Sequence, residues 1–406
     1  MTALSAPETT AAVRHWLRAN ASAITATEAD HTGPDLDPLI DRLAAATVVG
    51  LGESTRFSRQ TYGVRERILR ALVLRHGFRA LAIQDSARSG DRFDAYVRGG
   101  TGTPEEVLAQ AWRPLRTAET IATMAWLRAY NIEHPHDPVT IFGVRPPDAE
   151  SADYDAVLDQ LRVAAPELVP AVEAHLTPIR TAHRMDEHVQ RHRGVHPGRP
   201  FAEHARDMYA LVDGLTASPA RDAALDHARV IVEFHENSVA GRGGFAGDEL
   251  RSARRILERA AASRIVYWDG IAHISAIPVG VGRTDPDAFV STGSHLRTRL
   301  GAEYVAVALG FHHGDLGTGR APDPAPDLLD AELGQVDLDA YFVDPHAEAP
   351  DSVARRWREP ATMRVISGIY DESKDSEANM TVDALLDAFD VLVHIRETSP
   401  VAWLPE

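Results

Sequence analysis

Six short apolar runs, none broken by polar alternation, constrain this chain more than any other feature of its 406 residues. They are Thr47–Leu51, Ala80–Ile83, Val139–Phe142, Arg264–Trp268, Tyr304–Leu309 and Val391–Ile395. A strand with one wet face alternates apolar and polar residues; a strand covered on both faces does not. Helical periodicity lies between the runs. In Thr61–His76, Val64, Ile68, Leu69, Leu72 and Val73 recur at helical spacing, and Gly77 supplies the stop. The predicted fold class is α/β: a mixed, largely parallel central sheet flanked by helices.

The middle of the chain breaks this rhythm. From Asp153 to Arg259 the pattern is helical with no convincing strand, and Pro166, Pro170, Pro178, Pro197 and Pro200 punctuate it. We expect an inserted helical cap over the cleft. The expected division is 1–150 as the first part of the α/β core, 151–260 as the cap, and 261–406 as the second part of the core. Residues 317–326 are rich in Pro, Gly and Asp and read as a surface loop. The first twenty residues read as a helix whose docking the sequence does not give.

Composition excludes several classes. Hydrophobic residues make up 44% and charged residues 25%, so the chain can bury a core and is neither disordered nor fibrous. There is no cysteine, hence no disulfide, thiolate metal site or cysteine nucleophile. The net charge of -17 repels phosphate backbones, so no nucleic-acid partner is expected. No stretch reaches the ~20 apolar residues of a membrane helix, and Glu8, Arg14, His15 and Arg18 interrupt any N-terminal apolar segment. A cytoplasmic protein with a small-molecule partner and no membrane association is expected.

In open α/β sheets, ligands bind beyond the carboxyl ends of the strands. That rule selects Gly52–Arg59, Gln84–Asp91, Gly143–Pro146, Asp269–Ser275 and Gly310–Asp315. Glu53 closes the first run, where a carboxylate can act as acid, base or acceptor.

Here the sequence resembles the erythromycin esterase family. Val48–Thr55 is similar to its first motif and Gly77–Ile83 to its second strand; Tyr96–Gly99 is similar to the motif that follows. Trp268–His273 resembles its strand ending in histidine, Gly293–Gly314 its late helix–strand block, and Asp390–Pro400 its C-terminal strand. The resemblance implies an α/β core with a helical cap and a deep cleft. It also implies ester hydrolysis without a metal or other cofactor, in which a first-motif histidine activates water and glutamates and a second histidine assist.

The departures bear on the chemistry. The family's histidine position is Arg56, the glutamate ending its second strand is Gln84, and the Gly-X-Asp ending its third strand is Gly143-Val144-Arg145. Arginine stays protonated and cannot be a general base; glutamine cannot accept a proton. Arg56 and Arg145 then predict a cationic cleft that binds an anion or a developing oxyanion or enolate. Glu53 and His273 survive as the expected catalytic pair, with Arg56, Gln84 and Arg145 binding substrate.

Other segments carry metal-ligand or cap residue types. His312 and His313, with Asp315, are metal-ligand types, but the resemblance implies no metal there, and we expect His312 to line the cleft. His188 and His192 are spaced i, i+4 yet lack the metalloprotease glutamate, and read as a polar helix face. Glu233, on a cap helix, is expected to reach the substrate. Asp91 reads as a helix N-cap. No dinucleotide or phosphate-loop motif and no Gly-X-Ser-X-Gly elbow occurs.

The expected function is natural-product tailoring of a polyketide or macrolide by acid/base chemistry: elimination, isomerisation or cyclisation. The alternatives are a macrolactone esterase and a non-catalytic binding or self-resistance protein.

Overall fold

The computed structural model describes residues 6–145, 148–183, 185–242, 244, 246–282, 289–366 and 370–405. The strands, in chain order, are β1 (Ser22–Ala23), β2 (Val48–Glu53), β3 (Phe78–Ser86), β4 (Thr140–Arg145), β5 (Arg264–Gly270), β6 (Val279–Val281), β7 (Tyr304–Asp315), β8 (Arg320–Ala321), β9 (Ala340–Val343), β10 (Ala361–Arg364), β11 (Asn379–Val382) and β12 (Val391–Thr398). The main sheet has the order β1-β9-β12-β7-β2-β5-β3-β4, with β8 paired to β7. From β12 through β4 every neighbour is parallel. Those six strands are the six unalternating runs of the sequence.

The reason is visible in the burial. Val49 and Leu51 of β2 enter one apolar cluster with Ile83, Val266 and Val307. Val48 enters the cluster on the other face with Ala82, Phe142, Tyr267 and Ala306. Alternate residues serve opposite faces, and both faces are dry. The short antiparallel additions were not foreseen: β9 and β1 extend one edge, and β10-β11-β6 form a separate three-stranded sheet.

Helix Arg59–His76 is capped by the Ser58 hydroxyl, which accepts from Thr61 N at 3.1 Å, and ends at Gly77 with φ 68°. Helix Ala6–Asn20 buries Val13, Trp16 and Leu17, and Trp16 meets Trp357 edge-on at 5.8 Å. The helices Ser151–Ala164, Val169–Ile179, Phe201–Asp213 and Pro219–Asn237 hold a core of their own, including Tyr154, Leu161, Val172, Met208 and Ile231. Helix Ala246–Ala260 packs instead against the sheet, burying Ala253 and Ile256 with Phe142 and Tyr267. Asp91 sits inside helix Ala87–Val97, whose N-cap is Ser86, so the expected cap is misplaced by five residues. Among the described residues, no helix is long and apolar enough to cross a membrane.

Candidate active site

Strand β2 sits between β5 and β7, and its last residue, Glu53, pairs in register with Gly270 and Leu309. Glu53 is buried. One carboxylate oxygen bonds Arg65, on the inner face of helix Arg59–His76, and the other lies 3.6 Å from Arg56 Nε. The Arg65 guanidinium is stacked between the Tyr62 and Trp268 rings, 4.7 Å from each. Burial pushes the Glu53 carboxyl up, and the two guanidiniums pull it back only in part. Arg56 Nη2 donates to Gln84 Oε1 at 2.5 Å, and its guanidinium lies 4.3 Å over the Trp112 ring. Arg56 is therefore held by three neighbours in a fixed pose.

His273 lies on the short helix Ile271–Ile274 just past β5. Gly52 lets that helix rest directly on β2: a Cβ there would fall 2.2 Å from Ile274 Cγ1 and 2.8 Å from Ile271 Cα. The imidazole Nδ1 bonds Glu249 Oε1 at 2.7 Å, and Nε2 lies 3.9 Å from Asp269 Oδ1. Glu249 is fixed in turn by Thr292, whose N–H and hydroxyl donate at 2.6 and 2.9 Å. Asp269 accepts from the Tyr267 hydroxyl at 2.6 Å and the Gly270 N–H at 2.7 Å. Burial opposes the His273 charge, but Asp269 and Glu249 outweigh it, and the imidazole is pushed up to about 9. It is a cation at neutral pH.

Gly270 stands between these two cations. A Cβ at that position would lie 3.4 Å from His273 Cδ2 and 3.6 Å from Arg56 Nη2. The His273 atom that faces this position is the ring carbon Cδ2, since Nδ1 is bonded to Glu249; Arg56 Nη2, which also donates to Gln84, borders it as well.

A cavity of about 500 Å³ opens between the strand ends and the cap helices. Arg145, Asp85 and Trp112 line its sheet side, and Glu233 and Asn237 its cap side. Arg145 lies 5.1 Å over the same Trp112 ring that Arg56 covers. Burial works against the Arg145 charge, and Asp186, Asp269 and Asp148 more than restore it. Asp85 accepts from Ser86 N at 2.6 Å and Trp112 N at 3.0 Å, and burial pushes its carboxyl up to about 6. Burial and the nearby Asp85 push Asp148 up to about 8. The expectation of a cationic cleft is corrected here. Asp85, Asp148, Glu150, Asp186, Glu187, Glu233 and Asp248 line the cavity against Arg116 and Arg145, and Arg56 is partly neutralised by Glu53.

The erythromycin esterase family model matches residues 73–398. The chain belongs to the erythromycin esterase family. The matched span begins after Glu53 and Arg56, where the first motif departs from the family pattern. No curated protein matches the chain in sequence. Among solved structures, a Bacillus cereus protein superposes with a TM-score of 0.67 at 21% identity, covering 98% of this chain and 99% of that one. A succinoglycan biosynthesis protein gives 0.65 at 20% identity, covering 98% of each. The erythromycin esterase EreC, a histidine-to-asparagine mutant in its open conformation, gives 0.59 at 15% identity over 93% and 98%. These likenesses establish the fold.

Within this erythromycin esterase family member, Glu53, Arg56, Gln84 and His273 fall into one cluster, to which Trp112 connects Arg145. Of the expected site residues only Arg145 and Glu233 line the cavity; Glu53, Arg56, Gln84 and His273 stand behind its wall, which corrects the expectation that Arg56 and Gln84 face the cleft directly. Glu233 is on the cavity wall; its neighbour Glu236 turns outward to Arg206 at 3.1 Å. His312 is a correction: it does not line the cavity. Its ring lies against Gly334, and Arg364 Nη1 donates to its carbonyl at 2.5 Å, away from the Glu53 cluster. Asp315 is no ligand partner for it, since Asp315 Oδ1 accepts from Gly317 N at 2.8 Å. The side chains of His188 and His192, expected on one polar face, lie outside the described residues.

Four residues of the cluster and the cavity were not singled out from the sequence. Arg65 lies among the apolar positions of helix Arg59–His76, where the sequence pattern marks only core, and Glu249 lies near the start of helix Ala246–Ala260. Asp85 lies at the carboxyl end of β3 and Asp148 three residues past β4, so the strand-end rule selects the segment that holds Asp85 and stops just short of Asp148.

Proposed function

We propose that this protein is an enzyme acting by acid/base chemistry on a carbonyl-bearing natural product, with negative charge developing on the substrate oxygen between Arg56 and His273. The slot that Gly270 leaves between these two groups carries the proposal. A cation held by Glu249 and Asp269 donates a proton or a hydrogen bond; it does not accept a proton at neutral pH. Arg56 adds a second positive charge beside the same position, and preorganised cations of this kind stabilise enolates and oxyanions. Glu53 and Gln84 then hold Arg56 in position. The cavity, at about 500 Å³, is of the size that takes a drug-sized ligand. Asp85, ionised above pH 6, is the group suited to remove a proton. Enolate chemistry supports an elimination, an isomerisation or a cyclisation.

Hydrolysis is the second reading, and membership of the family favours it. An ester would place its tetrahedral oxyanion in the same slot, and Asp85 would activate water. The two readings share donors and differ in what attacks or leaves.

Mass spectrometry on a panel of macrolactones and polyketide intermediates separates them. Wild type, His273→Ala and Asp85→Asn are incubated in parallel. A product of unchanged mass, or lighter by one water, that requires His273 supports the first reading. Gain of one water supports hydrolysis. Ligand retained unconverted by wild type overturns both and leaves a binding protein.

A further inference from the structure

The end of β7 and the loop after it bring three ligand atoms together outside the cavity. His312 Nδ1 and His313 Nδ1 lie 2.9 Å apart. Asp323 Oδ1 lies 3.5 Å from the first and 3.2 Å from the second. Adjacent residues on a strand ordinarily point to opposite faces. Here the two rings converge, and the carboxylate arrives from eleven residues further on.

Two features fix this arrangement. Gly334 makes room for the His312 ring: a Cβ there would lie 2.1 Å from its Cδ2 and 2.5 Å from its Nε2. With the ring seated against Gly334, Nδ1 faces His313. Arg364 Nη1 holds the His312 carbonyl at 2.5 Å, pinning the strand. Behind His312, the fully buried His394 meets it edge-on at 6.1 Å, and neither His394 ring nitrogen has a hydrogen-bond partner among the described residues.

The triangle has the dimensions of a coordination face. For an ion about 2.1 Å from each donor, the donors are about 3.0 Å apart in an octahedron and about 3.4 Å apart in a tetrahedron. The three observed separations span that interval. Two imidazoles and one carboxylate suit first-row transition metals, and a three-donor face leaves positions open for water or another ligand. The Asp323 side chain is 80% exposed, so the site is reachable from solvent.

We propose that His312, His313 and Asp323 bind one divalent first-row transition metal ion, such as Zn²⁺ or Co²⁺, which ties residues 317–326 to the end of β7. Nothing in the chemistry assigned to Arg56 and His273 depends on it.

Metal-free full-length protein titrated with Co²⁺ alone, followed by visible absorption and calorimetry, tests this. One equivalent is expected, with ligand-field bands of nitrogen and oxygen donors. Asp323→Ala, at an exposed position, and His313→Ala are each expected to weaken binding at least tenfold, with the metal-free melting temperature unchanged. Gly334→Ala, which touches no ligand atom directly, is expected to weaken it about ten- to hundredfold by displacing the His312 ring. Absence of saturable binding overturns the proposal. So does one equivalent that survives both Asp323→Ala and His313→Ala, because that ion sits elsewhere.

Discussion

His273 and Arg56 border the same empty position above Gly270, with His273 Cδ2 at 3.4 Å and Arg56 Nη2 at 3.6 Å from where a Cβ would be. Two cations share a slot because carboxylates stand behind each: Glu249 and Asp269 behind the imidazole, Glu53 behind the guanidinium.

Gly270→Ala tests the slot without breaking the fold. The added methyl meets only ordinary van der Waals distances, and the backbone at φ -65° and ψ 149° suits alanine. Melting is expected to stay within a few degrees of wild type, while turnover falls at least tenfold. Gly52→Ala is the contrast. Its methyl collides with the backbone of Ile271, so it is expected to cost about 1–3 kcal/mol of stability as an overpacking change.

The His273 charge sets a pH dependence of stability. Its folded value, about 9, lies above the unfolded 6.5. The stabilisation is therefore fully present below pH 6.5 and is lost as pH rises through 9. Its size is on the order of 3 kcal/mol. Glu249→Gln is expected to flatten this limb of the melting curve between pH 6.5 and 9.

Arg65→Ala leaves Glu53 as a buried carboxylate with one weak partner. The expected cost is about 3–5 kcal/mol by chemical denaturation, and the paired variant Glu53→Gln with Arg65→Met is expected to recover part of it. Equal losses in the single and paired variants would show that ring stacking on Tyr62 and Trp268, and not charge, governs the site.

Asp148 is held neutral up to about pH 8 beside Asp85. A carboxyl raised in the folded state destabilises as pH climbs from its unfolded value through its folded one. Asp148→Asn is expected to raise the melting temperature above pH 8 and to leave it unchanged below pH 4.

Much of the fold was legible in the sequence because both faces of the central strands are dry, which leaves unalternating runs such as Val48–Leu51 and Tyr304–Leu309. The edge strands were not, since β1 has two residues and β9 four, too few for a period to show. Strand-end placement located Glu53 and His273. It could not tell that Arg56 turns to Glu53 and Gln84, because nearby Glu66 is an equally good partner by charge; in the structure Glu66 is taken by Arg70 and by Thr123 Oγ1, which donates at 3.0 Å. Nor could it find Glu249, which reaches His273 from a helix that packs on the sheet, or Asp323, which meets His312 and His313 only because the loop folds back.

The protonation state of His273 decides between a proton donor and a water-activating base. Long-range nitrogen–proton correlation spectra of wild type and Glu249→Gln, recorded between pH 5 and 10, measure it directly. His273 is expected to titrate near pH 9 in wild type and at least one unit lower in the variant. Titration at or below 6.5 in wild type would make the imidazole neutral under working conditions and would contradict its assignment as the acid.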